Sequence, residues 1–113
     1  MASAKPSRVE LAQTALADMA GISDYILEHE GGVAAERVVD GLWVAVGRLV
    51  HAPRSGRIVP ELRDQYIERY REVIHSPWRI IYSVEKAKVI VIAIVDGRRN
   101  FPDILRDRGL FGD

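Results

Sequence analysis

The fold is decided by residues 70–97, which read YREVIHSPWRIIYSVEKAKVIVIAIVDG. A period of two runs through 70–74 and again through 78–84, which predicts two strands. Residues 89–95 form an apolar run rich in β-branched side chains that ends at Gly97, as expected of a central strand buried on both faces. Short turns, one of them at Glu85–Ala87, join these segments, so we expect three antiparallel strands in sequence order.

A helix is predicted just upstream, because apolar residues recur three or four positions apart from 35 to 50. Pro53 and Gly56 end this pattern. We expect the whole stripe, including Trp43, to lie in the core. The stripe comprises Ala35, Val38, Val39, Leu42, Trp43, Val46, Leu49 and Val50.

A first helix precedes it, with Thr14 as the expected N-cap and Asp18 on the outward face. Its inward positions are Ala15, Met19, Ile22 and Ile26. The Gly31-Gly32 pair permits a tight reversal, so the two helices should form an antiparallel hairpin that packs on the sheet. Val9 and Leu11 give a weak strand pattern before the first helix.

Length and composition indicate one soluble domain over residues 1–113. Hydrophobic residues make up 48% and charged residues 28% of the 113 positions, which is typical of a globular chain. No apolar run approaches the roughly 18 residues of a membrane span, and no secretory pattern follows the short tail predicted over residues 1–8. The absence of cysteine excludes disulfides and thiolate sites. We therefore expect a cytoplasmic α+β protein: an N-terminal strand and an antiparallel helical hairpin packed on a small, curved antiparallel sheet.

The net charge of zero conceals two halves of opposite sign. Residues 1–40 hold three basic against seven acidic side chains, and residues 41–113 hold thirteen against nine. Thirteen of the sixteen basic residues are arginine, which suits planar contacts to phosphate or carboxylate. Composition alone favours an ordinary solvated surface.

The candidate partner-binding residues lie in and around the predicted sheet. They are Arg57, Arg71, Trp78, Arg79, Arg98 and Arg99. Because paired strands end about 5 Å apart, we expect Arg57, Arg79 and Arg99 to share one rim. The alternative for each arginine is an ion pair with Glu61, Glu72, Asp96 or Asp103, which we favour for Arg54, Arg106 and Arg108. Arg79 stands inside an apolar strand and needs a partner there.

The sequence points to no metal, cofactor or small-molecule substrate. His29, His51 and His75 sit at predicted helix and strand ends without metal-ligand spacing. His75 has a side chain suited to general-base chemistry, although a solvated loop histidine is the favoured interpretation. The Gly31-Gly32 pair is better explained as a turn between two helices than as a phosphate-binding loop.

Four segments in this order resemble the RelE/ParE superfamily of type II toxins, and its ParE branch more closely. They are GRIVPEL at 56–62, YREV at 70–73, SPWRIIY at 76–82 and DGRR at 96–99. The first helix matches the family's spacing as well. The resemblance implies a strand, a helical hairpin and a curved antiparallel sheet, which agrees with the fold predicted from the residues.

The two branches imply different activities. RelE-like members cut messenger RNA on the ribosome with basic residues on the sheet and a tyrosine or histidine near the C-terminus. Arg79 and Arg99 match two of the basic positions, but Leu105 stands where a RelE-like catalytic tyrosine is expected. ParE-like members bind DNA gyrase and trap it on cleaved DNA without catalysis, and this is the function we expect.

An endoribonuclease using Arg57, Arg79 and Arg99, with His75 as base, stays an alternative, as does a purely structural binding module. Either branch implies a cognate, ParD-like antitoxin whose flexible segment folds onto this domain.

Overall fold

A computed structural model describes residues 8–110 and confirms the predicted α+β fold. Four helices and five strands make up this part of the chain, with a single 3₁₀ turn at Arg48–Val50. In chain order the elements are β1 (Arg8–Leu11), α1 (Gln13–Glu30), α2 (Gly32–Gly47), β2 (Arg57–Ile58), α3 (Pro60–Arg63), β3 (Tyr70–His75), β4 (Trp78–Glu85), β5 (Lys88–Asp96) and α4 (Phe101–Asp107).

The strands form one mixed sheet in the order β1-β5-β4-β3-β2. Strands β3, β4 and β5 pair antiparallel in sequence order, as predicted. The weak pattern of Val9 and Leu11 is also confirmed, because β1 adds to β5 in parallel with Val9 opposite Val89. Strand β2 pairs antiparallel with β3 but is not predicted, since two residues carry no periodicity.

The prediction of Thr14 as N-cap is wrong. Ala12 is the N-cap, and its backbone N–H donates to the Val91 carbonyl at 2.8 Å, so the chain passes from the sheet ladder directly into α1. Thr14 already lies inside the helix and donates its Oγ1 hydroxyl to the Ile92 carbonyl at 2.7 Å. The Thr14 side chain therefore ties α1 to β5.

The two helices form the predicted hairpin. Gly31 has a φ of 95° and donates its N–H to the Ile26 and Leu27 carbonyls, both at 3.1 Å, which ends α1 and starts α2. Leu42 is fully buried against the sheet, but Trp43 is 45% exposed, so its predicted place in the core is wrong. One helical step turns the chain by about 100°, and this step carries Trp43 out of the buried stripe.

Strand β5 separates two apolar clusters, as the prediction of a strand buried on both faces requires. Val91 and Ile94 belong to the first cluster, beneath the hairpin, and Val95 belongs to the second. A bulge at Ile92, where Ala93 pairs with Ile81 and Val91 with Tyr82, allows Val91 and Ile94 to face the same cluster. The second cluster also contains Val59, Leu62, Ile81, Ala93, Phe101 and Leu105.

Helix α4 covers the second cluster. The sequence from Pro102 onward predicts only a short tail with four apolar anchors and no helix; the anchors are Ile104, Leu105, Leu110 and Phe111. Asn100 caps it by accepting the Asp103 N–H at 3.5 Å, and Phe101 and Leu105 are buried. The predicted anchor Phe111 and residues 1–7 of the predicted tail lie outside the described residues. Arg8, predicted as the last residue of that tail, belongs instead to β1. No helix within residues 8–110 has the length and apolar character needed to cross a membrane.

Candidate partner-binding site

A buried carboxylate, Glu72 on β3, lies at the centre of an ion cluster. Its side chain is fully shielded from solvent and accepts from the Nε atoms of Arg57 at 2.7 Å and Arg79 at 2.6 Å. The strand register brings the Glu72 carboxylate to these arginines, because Glu72 lies opposite Arg57 on β2 and opposite Ile81 on β4. Ile81 belongs to the second apolar cluster, so Glu72 lies on the sheet face that α4 covers.

Arg79 contacts two carboxylates and an aromatic ring. Its Nη1 and Nη2 atoms donate to the two oxygens of Glu61 at 2.9 and 2.8 Å, and its guanidinium carbon lies 3.5 Å from the centre of the Phe101 ring. A side chain at position 97 would place its Cβ 2.8 Å from the Arg79 Cδ, so Gly97 leaves the space that Arg79 occupies. Only 10% of the Arg79 side chain is exposed.

Arg79 and Glu61 stabilise each other's charged form. The hydrogen bond from Arg79 lowers the pKa of Glu61 and outweighs the opposing effect of burial. Burial works to lower the pKa of Arg79, but bonds to Glu61 and Glu72 outweigh it and raise that pKa. Arg79 therefore serves the interior of the protein, while Arg57, with 60% of its side chain exposed, still reaches solvent.

Arg71 fixes the loop that precedes β2. Its Nη1 donates to the Gly56 carbonyl at 2.7 Å and to the Arg54 carbonyl at 3.4 Å. The Gly56 N–H donates to the hydroxyl of Tyr82 at 2.9 Å, and burial raises the pKa of that hydroxyl. A Cβ at Gly56 would lie 2.4 Å from the Glu72 carbonyl oxygen, so this close approach of two backbones requires glycine.

Trp78, Arg98 and Arg99 line a groove of about 1030 Å³ between α1 and the end of β5. Tyr25, which is 61% exposed, contributes to the same groove from α1. Arg98 binds Asp96 through two hydrogen bonds of 3.0 and 2.8 Å, which lower the pKa of Asp96. Arg99 is exposed and forms no ion pair with any residue between 8 and 110.

The six candidate partner-binding residues thus occupy three places. Arg57 and Arg79 meet at Glu72, and Trp78, Arg98 and Arg99 meet in the groove beside α1. Arg71 lies with the loop before β2. The single rim was expected for Arg57, Arg79 and Arg99. The structure brings Arg57 and Arg79 together at Glu72, whereas Arg99 lines the groove with residues of α1.

The residues named for the nuclease alternative do not all lie together. Leu105, at the position where a RelE-like tyrosine is expected, is fully buried in the second apolar cluster. His75 lies opposite Trp78 and beside Gly41 of α2, on the hairpin face, whereas Arg79 lies on the other face. The described stretch 8–110 contains no group of three or more potential metal ligands.

The ion pairs predicted for Arg54, Arg106 and Arg108 are found only in part: Arg106 pairs with Asp103, whereas Arg54 forms no ion pair with a residue between 8 and 110. All four predicted acidic residues, Glu61, Glu72, Asp96 and Asp103, form ion pairs. Arg108 pairs instead with Asp18, through bonds of 2.6 and 3.0 Å. Asp18 was predicted on the outward face, but it also accepts the Ile94 N–H at 2.9 Å, and only 13% of its side chain is exposed. No sequence signal marks this pair, because 90 residues separate its members.

Comparison with known proteins gives one family and two similar structures. The family model described as the ParE toxin of the type II toxin-antitoxin system parDE matches residues 9–101. A structure from the chromosomal ParDE toxin-antitoxin system of P. aeruginosa aligns with a TM-score of 0.68 and 18% identity, over 82% of this chain and 98% of that chain. One from the toxin-antitoxin complex RelBE2 of Mycobacterium tuberculosis aligns with a TM-score of 0.53 and 15% identity, over 83% and 94%. These structures show a shared fold. No curated protein compared with the chain matches it.

Proposed function

The chain belongs to the ParE family of toxins of type II toxin-antitoxin systems, and from this we propose that it stops growth by binding DNA gyrase in the cytoplasm. In this proposal the toxin holds gyrase on cleaved DNA and catalyses no reaction itself. A cognate, ParD-like antitoxin binds the toxin and neutralises it.

The burial of Leu105 is the observation that carries the choice of gyrase over messenger RNA. General acid–base cleavage of RNA needs a titratable side chain within reach of the 2′-hydroxyl. At the position expected to supply it, the chain places an apolar side chain with no exposed surface. A poison that acts by binding needs no such group.

The groove beside α1 supports an antitoxin partner. It combines exposed aromatic surface at Tyr25 with Trp78 and with the guanidinium groups of Arg98 and Arg99. A flexible antitoxin segment that folds on binding needs both apolar anchors and charged groups along its path. We therefore propose Trp78, Arg98 and Arg99 as antitoxin contacts, and the exposed guanidinium of Arg57 as a further contact.

Supercoiling by purified gyrase tests the proposal. We expect the purified chain to block supercoiling and to leave linear plasmid after the proteins are denatured, and we expect the antitoxin to restore activity. Normal supercoiling with the chain in excess over gyrase would contradict the proposal. Cleavage of messenger RNA at the ribosomal A site in a parallel translation reaction would favour the endoribonuclease instead. Normal growth on expression would favour a structural module.

A further inference from the structure

The helical hairpin and the segment that follows it carry opposite charge. Residues 13–47 contain six carboxylates and one arginine, whereas residues 48–71 contain six arginines and three carboxylates. The net charges are therefore minus five and plus three. In the structure the second segment includes β2, which forms one edge of the sheet and lies four strands away from β1. Three of the six arginines, Arg54, Arg69 and Arg71, lie around one cleft near that edge, where Arg71 pairs with Ile58 of β2.

The cleft has a volume of about 460 Å³ and is lined by these three arginines. The carboxylates in the lining are Glu68 and Glu85, and Ser83 donates its hydroxyl to Glu85 at 3.5 Å. Arginines therefore outnumber carboxylates in the cleft.

Two of the three arginines are available to a ligand. Arg54 and Arg69 are both exposed, and neither forms an ion pair with a residue that the structure describes. The Arg69 guanidinium lies 5.1 Å from the centre of the Tyr70 ring, a contact that limits its movement. Arg71 donates to the carbonyls of Gly56 and Arg54, so it holds the loop that carries Arg54 against β3.

We propose that this cleft binds the phosphodiester backbone of nucleic acid through Arg54 and Arg69, and that Arg71 positions Arg54 for the contact. Guanidinium groups match phosphate oxygens in shape and charge, and each contact releases counterions from the nucleic acid. The inference rests on the proposed function, since a gyrase poison acts where gyrase holds DNA. Duplex DNA is accordingly the ligand we assign.

Binding of a fluorescent DNA duplex by the intact chain, measured by anisotropy over a range of salt concentrations, tests the inference without gyrase. The variant is Arg54→Gln/Arg69→Gln. The control is Arg8→Gln, which makes the same change on β1 at the opposite edge of the sheet. Loss of two phosphate contacts should reduce the slope of log K against log salt by about 1.8 and weaken binding at ~0.1 M salt by roughly tenfold or more. The control should keep the wild-type slope.

The outcomes separate the possible ligands. An unchanged slope in the double variant, with unfolding curves showing that it is folded, would overturn the inference. Tighter binding of a single-stranded RNA, if it also requires both arginines, would overturn the inference too, because the preferred ligand would then be RNA and not duplex DNA. Arginine-dependent binding of gyrase in the absence of DNA would overturn it as well, because the cleft would then meet protein carboxylates. If the wild-type chain binds DNA as expected but does not inhibit supercoiling, the proposed function fails and the cleft assignment stands.

Discussion

Arg79 can occupy a buried strand position because Glu61 and Glu72 reach it from two other elements. Taking a charge out of water costs several kcal/mol, and the cost is offset only when the partners have good geometry. The bonds of 2.6 to 2.9 Å to both carboxylates, together with the Phe101 ring, meet that condition. Removing the cation alone would leave a carboxylate of the cluster with too few partners.

We therefore expect Arg79→Met to lower the free energy of unfolding by about 3–5 kcal/mol. The exposed pair of Arg8 and Glu10 provides the control, since Arg8→Gln should change the free energy of unfolding by about 0–1 kcal/mol. Urea denaturation of the two variants and the wild type measures both effects. A loss in Arg79→Met no larger than in Arg8→Gln would show that the ion cluster contributes little to stability.

Single residues differ in how far their roles follow from the sequence. A charged residue among strand apolars signals that a partner must exist, and Glu61 and Glu72 were correctly among the candidate partners of the arginines. The period of a strand shows which residues share one face of the sheet. It does not show which helix or loop covers that face, so the burial of Arg79 cannot be predicted from the sequence. Arg79 is therefore predicted to contact a partner protein, whereas the structure buries it.

Among the elements, α4 is joined to α1 by an ion pair just past its C-terminal end. Arg108 follows the helix and binds Asp18 of α1, while Phe101 and Leu105 pack into the second apolar cluster. Asp18 also accepts the Ile94 N–H, so one carboxylate joins α1, β5 and the end of α4.

We expect Asp18→Asn to loosen α4 more than any strand, because the amide keeps an acceptor for Ile94 but loses the charge that holds Arg108. Hydrogen exchange should show faster exchange of the α4 amides and unchanged protection of β3 and β4. Asp24→Asn, an exposed position on the same helix, is the matched control and should leave both unchanged. Equal protection of α4 in both variants would contradict a role for this pair.

The elements with strong periodicity were predictable, and the short ones were not. Helices α1 and α2 and strands β3 to β5 each repeat their pattern over several turns or residue pairs. Strand β2 has two residues and α3 has four, so tertiary contacts and not periodicity determine them. Helix α4 begins at Phe101 and was predicted only as a set of apolar anchors.

For the molecule as a whole, the ion pairs predict a loss of stability in acid. The pKa of Glu61 is lowered below its ordinary value of 4.5, and that of Asp96 below 3.8. A group with a lowered pKa in the folded state takes up protons first in the unfolded state. The stability it contributes is complete above about pH 4.5 and is lost as the pH falls through its lower folded-state pKa.

We accordingly expect the free energy of unfolding to be flat just above pH 4.5 and to fall below it. Arg79→Met should flatten this fall, because Glu61 then loses the bond that lowers its pKa. Denaturation curves between pH 3 and 7 measure the effect. An acid slope that is the same in both proteins would show that other carboxylates govern it.

The side chains of α1 that bind β5 also limit where a second copy of this protein could pair with the sheet. A row of unpaired backbone groups along an outer strand is a template on which further chains assemble into fibrils. Strand β1 occupies that row as far as Val91, and the Thr14 hydroxyl and Asp18 carboxylate occupy the groups of Ile92 and Ile94 beyond it. The same contacts that fasten α1 to the sheet therefore leave this end of β5 closed to a further strand.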